Sequence, residues 1–127
     1  IDACLVGSEM CIRDSRNSDG SPITGQVPSA CNLEEAIAAA RNVGLYSLSA
    51  LQTELGSLDR VQQIIRTFGM VNSAPGFSEH PKVIDGFSNL MIDIFGEAGR
   101  GARSAVGMSS LPFNISVEVE MTAKLFD

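Results

Sequence analysis

The sequence predicts an α+β domain in which two helices pack on one face of a mostly antiparallel sheet. Two long segments place apolar residues at helical spacing, and the carboxy-terminal segment alternates apolar and polar residues with a period of two. Length supplies the third observation. A chain of 127 residues can build one core and is too short for two.

Ser18 to Pro28 holds Asp19-Gly20, Pro22 and Gly25 and reads as a loop. Asn32 then offers an N-cap with Glu35 three residues on, and Leu33, Ile37, Ala40, Gly44, Leu48, Leu51 and Leu55 keep to one helical face until Gly56 ends the helix. Arg60 to Val71 is rich in branched residues and bounded by turn formers at Gly56-Ser57 and Asn72-Ser73-Ala74-Pro75, so it reads as a mostly buried strand. A second helix begins near Pro81, with His80 at its start. It carries Val83, Ile84, Phe87, Leu90, Met91, Ile94 and Phe95 on one stripe and stops at Gly96 and Gly99. That stripe is the spacing needed to pack against a sheet. Ala102 to Met108 reads as a strand, Leu111-Pro112 interrupts it, and Ser116 to Leu125 is a half-buried strand. A hairpin reversing near Ser110-Leu111 is expected, with Arg103 opposite Glu118.

That pair admits two readings: an ordinary surface ion pair on a sheet, or a cation that clamps a carboxylate beside a glutamate that holds or activates water. The remaining composition narrows the choices. A net charge of −6 argues against broad binding to nucleic acid or to anionic membrane, because that affinity comes from Lys and Arg neutralising phosphates. No apolar run approaches the roughly 20 residues that cross a bilayer, and no secretory signal is evident, so a cytoplasmic location is expected. Cys4, Cys11 and Cys31 fit neither a disulfide framework nor a zinc spacing. His80 is the single histidine, which removes a His-based metal cluster; no metal or cofactor is expected. Gly96 and Gly99 match no phosphate loop. One layer of helices leaves the other sheet face uncovered, which suggests an oligomer.

The run from Ser57 to Glu120, with NSAPGF, FGEAGR and ARSAVG, then LP and VEVE in order, closely resembles the Rid family of reactive-intermediate deaminases. These are also called YjgF-like or endoribonuclease L-PSP proteins, and the match is to the chorismate-mutase-like branch. The resemblance covers roughly Asp19 to Leu125. It implies a chorismate-mutase-like fold assembled as a homotrimer, with ligand sites in clefts between subunits. It also implies hydrolysis of enamine or imine intermediates of the 2-aminoacrylate type to 2-oxo acids and ammonia. In that scheme Arg103 holds the substrate carboxylate and Glu118 positions the attacking water, while position 105 contacts substrate.

The departures bear on turnover. Ala105 stands where many deaminating members have Cys, Asp85 where the branch commonly has Asn, and Gly101 where it often has His. Glu120 shares its face with Glu118. CLVGSEMCIRDS near the start resembles a peptide that arises when sequencing-adapter DNA is translated. On that resemblance residues 1–15 are a non-native segment, a single domain spans 16–127, and Glu9 to Ile12 occupies the place of the family's Ser-Gly-Gln strand. The competing functions are a regulatory trimer that binds small carboxylates without turnover, and the endoribonuclease of the family label. Acidity and the lack of paired histidines disfavour the latter.

Overall fold

The computed structural model describes Ile12–Asp14, Asn17 and residues 19–126. Its elements are strand β1 (Ile12–Asp14), helix α1 (Leu33–Leu55), strand β2 (Val61–Asn72), helix α2 (His80–Phe95), and strands β3 (Ala102–Met108) and β4 (Val117–Leu125). Short 3-10 turns fall at Leu58–Arg60, Gly96–Gly99 and Pro112–Asn114.

Helix α1 begins and ends as its sequence dictates. The Asn32 side chain accepts from the Glu35 amide at 2.9 Å and Glu35 accepts from the Asn32 amide at 3.1 Å, closing a reciprocal capping box. At the other end Gly56 adopts φ 83°, a left-handed conformation that a residue without Cβ reaches at no steric cost, and its amide donates to the Gln52 carbonyl. Helix α2 starts at His80 with Pro81 in its first turn, where a missing amide hydrogen leaves no bond unmade. Its stripe of Val83, Ile84, Phe87, Leu90 and Met91 is buried. Ile94, predicted on the same stripe, is 48 % exposed.

Both helices lie on one face of the sheet and share a core with Ile64 and Val71 of β2 and with Val117, Val119, Met121, Ala123 and Leu125 of β4. The period-two burial of β4 follows, odd positions turning to the helices and even ones away. Cys31 is part of this core; burial pushes its thiol pKa up, so it is held protonated. Cys4, Cys11 and Glu9 lie outside the described residues.

Strand order is β1-β4-β2-β3. Strand β4 runs antiparallel to β1 and to β2, whereas β3 runs parallel to β2. The sheet is therefore mixed, and the expected β3–β4 hairpin does not form. The physical reason is the crossover: a strand, a helix and a strand in succession return the chain parallel to its starting direction, and α2 supplies the long connection that such pairing needs. Strand β2 thus lies between β3 and β4. Strand β1 pairs Ile12 with Glu120 and Asp14 with Glu118 at the far edge.

The face away from the helices bears a smaller apolar group, Met70, Leu111 and Ile115 with Phe68 and Met108 packed against them. The loop that brings Leu111 and Ile115 there is tied down by the buried Asn72, whose Nδ2 donates to Asn114 Oδ1 at 3.1 Å and to the Ile115 carbonyl at 3.0 Å. Phe113 and Asn114 within it both take φ 57°, and Phe113 is 89 % exposed.

The helices meet at a residue with no side chain. A Cβ on Gly86 would run into the Ile37 carbonyl oxygen, an atom of the α1 backbone that cannot rotate aside. Gly86→Ala is expected to destabilise the fold by about 1–3 kcal/mol through overpacking, although alanine is the better helix former by about 1 kcal/mol. Urea denaturation checks this, and an unchanged or raised midpoint would show that the helices do not approach so closely in solution.

Candidate functional site

Arg103 is the second residue of β3, an edge strand, and its partner across the ladder is Thr67 of β2. Thr67 also pairs with the core residue Met121, so this row faces the helices. From there the Arg103 side chain reaches α2. Its Nη1 donates to Asp85 Oδ1 at 2.7 Å and to Ser88 Oγ at 3.2 Å. Asp85 and Ser88 are three apart on a helix, the spacing that places two side chains on one face.

These residues line an open cleft of about 250 Å³ between α2 and the start of β3, together with Asn89, Ile92 and Gly99, Arg100, Gly101. The turn that forms its floor is tight. A Cβ on Gly99 would meet the Met91 carbonyl, and one on Gly101 would meet the carbonyls of Ile64 and Ile65, so both backbones approach their neighbours more closely than a side chain allows. Arg100 holds Glu97 loosely across the turn, Nε to Oε2 at 3.4 Å, with both side chains largely in water. The cleft is therefore lined by two guanidinium groups and one carboxylate, and each guanidinium already has an acidic partner, Arg103 in Asp85 and Arg100 in Glu97.

The two ends of a guanidinium differ in what they offer. Asp85 and Ser88 both engage Nη1, the nitrogen on the Cδ side. The opposite edge, Nε with Nη2, makes no hydrogen bond among the described residues and presents two parallel N–H groups, the fork that fits a carboxylate.

Ala105 lies two residues along the same face, paired with Gly69 and packed against the main core. It brings no polar atom to the cleft. Glu118 lies elsewhere. It pairs with Met70 on β4, on the opposite face of the sheet from Arg103 and with β2 between them, so the direct cross-strand pair expected from the sequence is absent. Glu120 shares that far face, opposite Phe68. His80 forms a contact of its own: Nε2 sits 3.1 Å from Ser73 Oγ and Phe77 packs edge-on against the ring, which closes the turn into α2.

Sequence reasoning missed Ser88, Asn89 and Arg100, and treated Asp85 only as an unusual residue at its position. A signal for two of them was present. Asp85 and Ser88 fall on the flank of the α2 stripe, and the βαβ reading of β2, α2 and β3 would have set that flank beside β3.

The sequence profile of the family described as YjgF/chorismate mutase-like, putative endoribonuclease, matches residues 6–125. Protein TCP17 of Trypanosoma cruzi is 41% identical over 111 residues, which cover 87% of this chain and 69% of that protein. Two solved structures have the same architecture. A protein of unknown function from Agrobacterium tumefaciens superposes with a TM-score of 0.85 at 36% identity, over 90% of this chain and 73% of that one. A putative endoribonuclease from Shewanella oneidensis does so with a TM-score of 0.84 at 32% identity, over 90% and 76% of the two chains. With the profile spanning nearly all of the described fold, the chain belongs to the YjgF/chorismate mutase-like family, the Rid or L-PSP proteins.

Proposed function

We propose that the protein hydrolyses short-lived enamine or imine intermediates of the 2-aminoacrylate type to 2-oxo acids and ammonia, in clefts between the subunits of a homotrimer. The observation that carries this reading is the Arg103 guanidinium in an open cleft with one hydrogen-bonding edge unengaged. A substrate of this class has one carboxylate and, once the enamine has gained a proton at its methylene carbon and lost one from nitrogen to become the imine, one electrophilic C=N carbon. The free edge fixes the carboxylate in a plane, which sets the position of the adjacent carbon.

Water then adds to that carbon. A base takes a proton from the water as its oxygen bonds to carbon, the nitrogen gains a proton, and collapse of the carbinolamine forms C=O as ammonia leaves. The base assigned to this role is Glu118. Because its strand position turns it to the face opposite Arg103, it serves the cleft of a neighbouring copy rather than its own. The trimer is thereby part of the proposal. The face that bears Glu118 also holds the apolar group around Met70 and has no helix over it among the described residues, a surface that suits burial against another copy.

A trimer that binds small carboxylates without turnover is the second reading, favoured by the separation of Arg103 from Glu118 within one chain. The endoribonuclease label has little physical support here, since the cleft has no histidine and the chain is acidic. Among the described residues no group of three or more His, Cys, Asp or Glu side chains is placed to hold a metal ion.

Mass measured in solution is expected to be that of three chains. A monodisperse monomer would separate Arg103 from any Glu118 and remove the hydrolytic reading.

Arg103→Ala is expected to weaken calorimetric binding of pyruvate or 2-oxobutyrate about 10- to 150-fold, the equivalent of a charged hydrogen bond of about 1.5–3 kcal/mol. Stability should change by less than about 1 kcal/mol, because the Arg103–Asp85 pair is partly exposed. Equal affinity in parent and variant would dismiss Arg103 as the anchor.

Turnover is read by coupling an amino-acid oxidase or dehydratase, which generates the intermediate in place, to 2-oxo acid release. Glu118→Gln should abolish the acceleration while Cys31→Ser, at a buried thiol in the core, leaves it intact. No acceleration by the parent chain would leave the carboxylate-binding trimer as the better reading.

A further inference from the structure

The carboxylate already on Arg103 has a consequence for which ligands the cleft accepts. Asp85 Oδ1 lies 2.7 Å from Nη1, and Asp85 itself lines the cleft. Any anion that docks on the Nε–Nη2 edge of the same guanidinium therefore shares one cation with a fixed negative charge. Like charges so close repel by an amount that grows with the charge on the ligand. Arg100, the other cation lining the cleft, already faces Glu97 and is too exposed to offset this strongly.

We propose that Asp85 is a specificity-determining residue that restricts the cleft to ligands with a single carboxylate, by opposing the second negative charge of dicarboxylates, while with Ser88 it holds Arg103 so that only its Nε–Nη2 edge faces the ligand. This deepens the functional reading above and rests on it: Arg103 remains the anchor, and Asp85 decides what the anchor accepts. The two roles of Asp85 separate chemically. An asparagine in its place keeps an oxygen for the Nη1 bond and removes the charge. Ser88 contributes a neutral contact to the same nitrogen and supports orientation alone.

The test is calorimetry on the full chain with 2-oxobutyrate and freshly prepared oxaloacetate, four-carbon 2-oxo acids that differ in bearing a methyl or a carboxylate at the far end. The parent should bind 2-oxobutyrate more tightly. In Asp85→Asn the affinity for 2-oxobutyrate is expected to rise about threefold and that for oxaloacetate about tenfold, since the dianion feels the removed charge twice. In Ser88→Ala both affinities should fall by a similar factor, leaving their ratio as in the parent. A merely structural role for Asp85 would lower both affinities together, and that result overturns the proposal. So does an equal gain for the two ligands. Binding of 2-oxobutyrate by the parent alongside either of those results would leave Arg103 as a carboxylate anchor and remove only the role of Asp85. Failure of parent and Asp85→Asn alike to bind either acid would remove the carboxylate-capture reading, and this proposal with it.

Discussion

Strand β2 is the element on which the rest of the structure depends. It is hydrogen-bonded along both edges, parallel to β3 and antiparallel to β4, and each of its faces carries a different core. Its helix-facing row includes Gly69, where a Cβ would overlap Ile84 of α2, so the helix comes down close to the sheet. Its other row carries Phe68 and Met70 into the smaller apolar group. Once α2 returns the chain parallel to β2, the side of β2 taken by β3 is no longer available to β4. Arg103 and Glu118 are thereby put on different strands that never touch. The period of two then sends one to the helices and the other to the open face, a separation that no rotamer can undo.

How much of this was legible in the sequence depended on how local the determining contact is. Asn32 with Glu35 and Gly56 mark α1 through bonds made within one turn of chain, and the structure places its ends there. Pro81 and the stripe from Val83 to Met91 mark α2 for the same reason. The β3–β4 pairing was misread because Leu111-Pro112 is a genuine turn signal that, by itself, says nothing about which strands the turn joins. The 3-10 turn at Pro112–Asn114 sits in a loop that carries the chain over β2 and is anchored by Asn72, forty residues away in sequence. Alternation in β4 showed the two faces of that strand correctly and could not show what lay beside it. Only the order strand, helix, strand carried that information.

The candidate site shows the same division. Arg103 was picked out from sequence, and its neighbours were not, because Asp85 and Ser88 meet it only after α2 has packed across β2 and β3. The contacts are long-range in sequence and short in space, 2.7 and 3.2 Å across eighteen and fifteen residues. Ala105 keeps its place beside Arg103 as β-strand geometry requires. What the sequence could not convey is that this position packs on the core, where a small apolar residue is at home and a polar role is not called for.

An ion pair as exposed as Arg103–Asp85 contributes little to folding, so its value has to be sought in what it does to the arginine. A guanidinium on a bare edge strand would sample many rotamers and would lose that freedom on binding any ligand. Two bonds to one nitrogen reduce this loss beforehand and leave the Nε–Nη2 edge for a ligand. The same carboxylate that confers orientation also subtracts charge, and these effects act in opposite directions on affinity for an anion. Orientation helps every carboxylate equally, whereas the subtracted charge weighs most on the most highly charged. On the function proposed above, the cleft is thus better suited to discriminating among small anions than to holding any of them tightly, the behaviour that such a reaction needs if its 2-oxo acid product is to leave as readily as its precursor arrives.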